Sequence, residues 1–588
     1  MGKKSIFIIL TVLISQNINA TQRYEAEGAI VDENSVEVIQ DQNVSGGSYV
    51  NMKEGNLIFE ISVSEAGFYA LWASYSQPYD ENGKIQNLTI NGSSSGQISF
   101  PYTENFVQMK ASAKIKLSKG INTIGITHSW GWVNIDYVEL TAYEAAPFNI
   151  SSNLVTQNAS ENTRKMYSFL KENFCKKIIS GVMTDRTMEN DGVNTPFKVE
   201  TQIEVAWIRD ASNKIPALLG LDFMHGTGLN SDNSWHNDYT KATISLAEDI
   251  FKKGGFPAYC WHWKDPSKSV ETFYTESSGN TPYTDFSLIN AFTDETCESF
   301  NIESSEYKAI VSDIDIVAGY LKILADKDIP VLWRPVHEAS GKWFWWGSSG
   351  AKACKALFIF MFDRFTNHHG LNNLVWVWTT DEASDALEWY PGDQYVDIIG
   401  RDYYYYPREA NHGSLVASFE KVKDIYDGKK IIALSENGSV PYPDSLVSDE
   451  AGWSYFMPWY GDYTIDGWAH DNTADDWNSI MNHDYVITLD DMPGWENYEV
   501  FTKPIVKRSP LNKDISVKIT NGLLSIDTKN RKVQTVSLYT LNGTHLSTLE
   551  KSATGSIFRF NTETMSNGIY LLRVKTPEGI ISGSVMVN

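Results

Sequence analysis

The chain has 588 residues, too many for one ordinary domain, and its 42% hydrophobic and 21% charged content is that of a folded protein. A formal net charge of −24 excludes nucleic acid and anionic membrane as natural partners, because their phosphates would be repelled. A neutral polymer meets no such barrier, and 19 Trp and 30 Tyr supply aromatic faces for cores or for stacking.

Residues 1–20 read MGKKSIFIILTVLISQNINA. Lys3 and Lys4 precede a short apolar run, and Asn19-Ala20 offers a small-residue cleavage site, so this is a signal peptide and too short for a membrane span. The expected mature chain is exported, either free or attached to the cell surface. No later stretch reaches transmembrane length.

Residues 21–144 alternate apolar and polar side chains in short runs such as NLIFEISV, GFYALWASYS and VNIDYVELTAY, split by Gly, Asn and Ser turns. That spacing predicts a β-sandwich. From 150 to 506 the pattern changes to strands alternating with helices. The strand candidates are KIISGVM, IPALLGLDF, FPAYCWHW, IPVLWRPVHE, NLVWVWTT, YVDIIGRDYY, KIIALSE and WSYFMPWY. Helical spacing is clear in TKATISLAEDIFKKGG, SSEYKAIVSDIDIVAGYLKILADKD and AKACKALFIFMFDRFTNHHG, and weaker in the fifth and seventh connections. Eight such units over about 350 residues predict a (β/α)8 TIM barrel with enlarged loops, and no Gly-rich phosphate loop supports a doubly wound sheet instead. KPIVKRSPLNKD reads as a linker, and residues 510–588 as a small C-terminal β-sandwich. Cys175, Cys260, Cys297 and Cys354 form no CxxC pair, which argues against zinc; spacing leaves disulfides and free thiols both open.

In such a barrel, reactive side chains project from the C-terminal ends of strands. Two carboxylates stand out there: Glu338 at the end of the fourth strand and Glu436 at the end of the seventh. A lone glutamate at a strand end is usually a loop-fixing ion pair. Here each has a rich setting. Around Glu338 the chain reads WRPVHEASGKWFWWG: Arg334 and His337 could fix the carboxylate, Arg334 pointing inward must meet an anion, and Trp343 to Trp346 suggest a stacking wall. Glu436 lies in ALSENGSVPYPD, on a rigid apolar strand. Paired carboxylates about 5–5.5 Å apart cleave glycosidic bonds with retention, one as acid/base and the other as an ionised nucleophile. His262 in WHW is placed to hydrogen-bond a hydroxyl, Tyr404 in GRDYYYYP to touch Glu436, and Trp453 or Trp459 to floor the cleft. The plain alternatives are a satisfied structural histidine and rim packing.

RPVHEASGKWFWWG, WYPGDQYVDIIGRDYY, ALSENGSVPYPD and the WHW segment resemble glycoside hydrolase family 26, most of whose members are endo-β-1,4-mannanases. The resemblance implies Glu338 as acid/base and Glu436 as nucleophile, with His262, Arg334, His337, Trp343, Tyr404 and Trp459 around the substrate. It implies no cofactor for catalysis, and a monomer is the default. YEAEGA, SGGSYVNM and NIDYVEL resemble a family 35 carbohydrate-binding module. That likeness implies a structural calcium on Glu25, Glu27 and Asp136, and sugar contacts at Trp130, Trp132 and Asn134. VSLYTLNGTHL and NGIYLLRV resemble a type IX secretion sorting domain.

The expected function is therefore secreted, retaining cleavage of β-mannan. The rivals are the same fold acting on β-1,3-xylan or mixed-linkage β-glucan, and a non-catalytic glycan-binding surface protein, which would have no need of two opposed carboxylates. Deleting residues 21–144 is expected to impair action on insoluble polymer and spare short oligosaccharides.

Overall fold

The computed structural model describes residues 22–185, 197–495 and 498, and in the C-terminal segment residues 516–520, 523–528, 533–540, 545–550, 557–561, 568–577 and 579–587. The signal peptide and the linker lie outside the described residues.

The N-terminal part is a sandwich of two antiparallel sheets. One runs Glu37–Gln40, Ser48–Asn51, Asn134–Ala142, Gly67–Gln77, Thr103–Leu117, with Arg23–Glu25 also paired to Asn134–Ala142. The other runs Leu57–Val63, Gly120–Trp130, Lys84–Ile90, Ser93–Phe100. Period-two burial explains the pairing: Leu57, Phe59 and Ile61 face inward while Glu60 and Ser62 face out.

The following segment is the barrel. Strands β1 (Gly181–Met183), β2 (Leu218–Asp222), β3 (Phe256–Cys260), β4 (Val331–Arg334), β5 (Leu374–Thr380), β6 (Ile398–Tyr403) and β7 (Ile431–Asn437) form one parallel sheet in sequence order. Most are buried along their whole length, as expected where helices cover a parallel sheet. The eighth candidate, WSYFMPWY, closes the ring without being a regular strand. Leu434 N and Asn437 N bond Tyr455 O (2.9 Å) and Met457 O (3.1 Å) on one side, while Ile179 N and Met183 N bond Ser454 O (2.9 Å) and Pro458 O (3.0 Å) on the other. Pro458 has no N–H to offer the ladder. The first candidate is also split, because Ile178–Ile179 pairs with Val486–Ile487 before β1 begins.

The three clear helical patterns are Ser234–Lys252, Ser305–Ala325 and Ala351–Asp363, the first two capped by Asn233 and Ser304. The two weak ones are short helices, Ala386–Trp389 and Pro443–Asp449. All four cysteines are free thiols.

Helix Ser305–Ala325 buries one acid, Asp313, which is fully shielded. Its Oδ2 accepts from Trp263 Nε1 (2.8 Å), its Oδ1 has no partner, and burial pushes its carboxyl up to about 7. A carboxyl raised in the folded state keeps a proton that the unfolded chain releases near pH 4, so stability falls as pH rises from there to about 7. Asp313→Asn is expected to flatten that slope and to melt above the wild type at pH 8. Thermal melts of both proteins from pH 5 to 8 check this.

The C-terminal unit has a three-stranded sheet (Ser516–Thr520, Leu523–Asp527, Ile557–Asn561) and a four-stranded sheet (His545–Glu550, Thr535–Thr540, Gly568–Thr576, Gly579–Val587). Its core includes Leu524, Ile526, Leu538, Phe560 and Leu572.

Candidate active site

Glu436 lies on β7 with its side chain in the barrel mouth, and both carboxylate oxygens are engaged. Tyr404 Oη donates to Oε1 (2.7 Å) and Arg334 Nη2 to Oε2 (2.5 Å). Arg334 ends β4, and its Nη1 reaches Asp402 Oδ2 (2.6 Å), so the buried guanidinium meets two anions. Although burial disfavours its charge, Asp402 and then Glu436 hold that guanidinium protonated well beyond its usual range. Asp402 in turn accepts from Ser435 Oγ (2.6 Å), and burial lifts it to about 6 against the pull of Arg334. Tyr404 is raised well above a normal phenol, by burial first and Glu436 next, so it is a donor throughout the working range.

Glu338 lies past the strand rather than at its end. β4 stops at Arg334, and the chain then passes through left-handed residues at Val336 (φ 45°) and Glu338 (φ 53°). That conformation is costly for a β-branched valine and persists only where the surroundings impose it. Here Trp346 Nε1 bonds His337 O (2.8 Å) and Trp345 Nε1 bonds Trp263 O (2.6 Å), pinning the loop from both sides. One oxygen each of Glu338, Asp402 and Glu436 lies within 4.8 Å of the others. Burial, then Glu436 and Asp402, raise the Glu338 carboxyl well above its ordinary range, with Arg334 and a Trp343 hydrogen bond opposing. A carboxyl biased toward its protonated form therefore faces a second one across the mouth.

The remaining expected residues divide. His262 Nδ1 meets Asp222 Oδ2 (2.6 Å) and its Nε2 meets His337 Nε2 (3.1 Å). His337 is buried and held neutral, by burial first and then by His262 and Arg334. It therefore braces His262 rather than Glu338, and Arg334 grips Glu436 and Asp402 rather than Glu338. Trp343 is 38% exposed and its Nε1 donates to Glu338 Oε2 (3.2 Å). The expected wall is only this one ring, because Phe344, Trp345 and Trp346 are buried in the loop's support. Trp459 sits beside His262, with ring centroids 5.5 Å apart. Trp453 is fully buried against Phe419, with its Nε1 on Ser414 O (3.1 Å), so it does not floor the cleft.

In the sandwich, Trp130 and Trp132 are exposed, and Trp132 stands edge-on to Tyr79. Asn134 is buried, accepting from Tyr79 Oη (2.8 Å) and donating to Ser76 Oγ (3.0 Å), so it braces Tyr79 instead of presenting a free amide. Glu25 Oε2, Glu27 Oε2 and Asp136 Oδ1 are buried oxygens without hydrogen-bond partners, while their companion oxygens accept from Ser45, Ser48 and Ser74.

Two residues of the site escaped the sequence reading. Asp402 was visible only inside GRDYY, and Asp222 only as the last residue of IPALLGLDF. The rule that strand ends carry chemistry, applied to every strand, would have found both.

Residues 155–491 match the model of glycosyl hydrolase family 26. The mannan endo-1,4-β-mannosidase of Thermothelomyces thermophilus is 31% identical over 81% of this chain and 91% of its own length. The chain belongs to glycosyl hydrolase family 26. Among solved family 26 relatives, the β-mannanase from a symbiotic protist of the termite Reticulitermes speratus is 43% identical, covering 59% of this chain and all of that one, with a TM-score of 0.53. The Podospora anserina GH26-CBM35 β-(1,4)-mannanase is 31% identical over 81% of this chain and 99% of that one, with a TM-score of 0.52. Residues 22–143 match the family 35 carbohydrate-binding module and residues 519–588 the secretion system C-terminal sorting domain. This family 26 glycoside hydrolase therefore carries a tag for export, and no helix among its described residues is long and apolar enough to cross a membrane.

Proposed function

We propose that this chain is an exported endo-β-1,4-mannanase that hydrolyses mannan, glucomannan or galactomannan with net retention. The carrying observation is Glu338 facing Glu436 with oxygens within 4.8 Å, the close spacing that retention needs, and burial and Glu436 raise the Glu338 carboxyl in the direction a general acid requires. The relatives named mannan endo-1,4-β-mannosidase supply the substrate class. In the first step a Glu436 oxygen bonds to the anomeric carbon while Glu338 gives its proton to the departing glycosidic oxygen. In the second, Glu338 takes a proton from water, which attacks the same carbon and frees Glu436. Tyr404 and Arg334 orient the nucleophile, and His262, Trp343 and Trp459 line the approach to it. His337 and Arg334 act through their neighbours.

The division into 21–144, 150–506 and 510–588 belongs to the same reading, with Trp132 and its neighbour Trp130 as the sugar-facing rings of the first part. Its orphaned Glu25, Glu27 and Asp136 oxygens are hard donors that fit a structural calcium. Burial, and repulsion from Glu25, raise Asp136, a cost a cation would offset. One copy of the chain holds both carboxylates, so a monomer suffices.

The test is reducing-sugar release from glucomannan, galactomannan, β-1,3-xylan and barley β-glucan. Release from the mannans alone is expected. Release from xylan or β-glucan instead would overturn the substrate, and silence on all four would overturn the enzyme.

A further inference from the structure

The sandwich does not hang from the barrel on a tether. Its sheet edge around Ser94 and Gly96 lies directly on the barrel's 411–418 segment. A Cβ on Gly96 would collide with Ser418 Oγ and lie 2.6 Å from its backbone N, and a Cβ on Gly413 would collide with Ser94 O. Backbone therefore meets backbone, at positions where only glycine fits. Ala417 of the barrel is part of the sandwich's own hydrophobic core. Lys114, 2% exposed, reaches across to Glu450 (3.2 Å) and Glu420 (3.8 Å).

This seam reaches β6, the strand that carries Asp402, the second anion on Arg334, and leads directly into Tyr404, the donor to Glu436. Alternation along that strand puts Asp402 and Tyr404 on the mouth side, and Arg401 and Tyr403 on the opposite side. Those outer residues are completed by the sandwich. Arg401 is buried; its Nη2 donates to Gln97 Oε1 (2.8 Å), its Nε to Glu382 Oε1 (3.1 Å), and its Nη1 to the carbonyl of Asp402. Tyr403 Oη shares a hydrogen bond with Ser94 Oγ (3.0 Å). A buried guanidinium stripped of one acceptor must reorient, and here its other arm holds the Asp402 carbonyl, in the peptide joining Asp402 to Tyr403 just before Tyr404.

We propose that Gln97 and Ser94 of the N-terminal sandwich are positioning residues for hydrolysis: through Arg401 and Tyr403 they fix the strand that sets Asp402 and Tyr404 around Glu436. The sandwich is thus part of the hydrolytic machinery as well as a polymer anchor. Deleting residues 21–144 strips Arg401 and Tyr403 of partners and uncovers Ala417, so the deletion does not spare short oligosaccharides.

The inference rests on the assignment of Glu436 above, and point variants of the full chain test it on soluble mannohexaose, where anchoring to a polymer plays no part. Gln97→Ala is expected to lower kcat about tenfold with KM little changed, because a small misplacement at the carboxylates weakens the transition state more than the ground state. Gln97→Glu, which keeps an acceptor for Arg401, is expected to recover most of the loss. Lys116→Ala removes a seam contact to the Ser448 carbonyl (2.6 Å) in helix Pro443–Asp449 rather than on β6, and is expected to keep wild-type kcat. Wild-type kcat in Gln97→Ala, or equal losses in Gln97→Ala and Lys116→Ala, would overturn the proposal. Glu436→Ala run alongside separates the two failures: turnover by that variant sinks the catalytic assignment, whereas its silence beside an unimpaired Gln97→Ala sinks only the positioning role.

Discussion

Glu436→Ala is expected to abolish turnover on every substrate, polymer or activated glycoside, with a loss on the order of 10⁵-fold. The size of the effect follows from the site's economy. Glu436 is the only described carboxylate held by both Tyr404 and Arg334 (2.7 and 2.5 Å). Asp402 is near but committed, accepting from Arg334 and from Ser435. It is therefore not free to attack a sugar in place of the missing group. Arg334 keeps Asp402 as its counter-ion in the variant, so the fold survives and the loss reads as chemistry. Steady-state assays with a circular dichroism control check this, and hydrolysis within about tenfold of wild type would remove Glu436 from the reaction.

Glu338→Ala is expected to behave differently on the two classes of substrate. Polymer hydrolysis should fall on the order of 10³-fold, the usual contribution of a positioned general acid. An aryl mannoside whose leaving group needs little protonation should lose far less in the first step. The pH dependence carries a second signature. The reaction needs the protonated carboxyl, and burial together with Glu436 and Asp402 holds it protonated well above the ordinary glutamate range. Activity is present below that raised value and lost as pH rises through it, giving an alkaline limb in kcat/KM. In Glu338→Ala on the aryl substrate that limb should vanish. Polymer hydrolysis at the wild-type rate would make the assignment wrong.

Much of this site was legible because barrel topology converts chain order into geometry. Glu436 projects into the mouth from the end of the seventh strand, whereas Glu338, expected at the end of the fourth, reaches the mouth from the loop that follows it. Arg334 was legible for an energetic reason: a buried guanidinium requires an anion, and it has two. Tyr404 followed from its reading as the close of the sixth strand, which in the structure ends one residue earlier, at Tyr403.

What escaped was set by tertiary contacts with no local signature. The tryptophan run after Glu338 looked like a sugar platform, yet only Trp343 stays exposed while Trp345 and Trp346 use their indole N–H groups to fix backbone carbonyls. Trp453 and Trp459 were indistinguishable in WSYFMPWY, because the irregular closing segment, interrupted by Pro458, does not announce which side chains face inward. The partnership of Gln97 with Arg401 spans 304 positions of sequence and joins two parts that each read as a complete domain. No pattern within either part could reveal it.

The most direct test of the central claim is covalent. The full chain would be incubated with a 2-deoxy-2-fluoro-β-mannosyl fluoride, which slows both steps and lets the glycosyl-enzyme accumulate, and the adduct located by peptide mass mapping. A single sugar on the peptide bearing Glu436, absent from Glu436→Ala, is the expected result. An adduct on Asp402 or Glu338, or none while the same protein hydrolyses mannan with inversion, would contradict the mechanism.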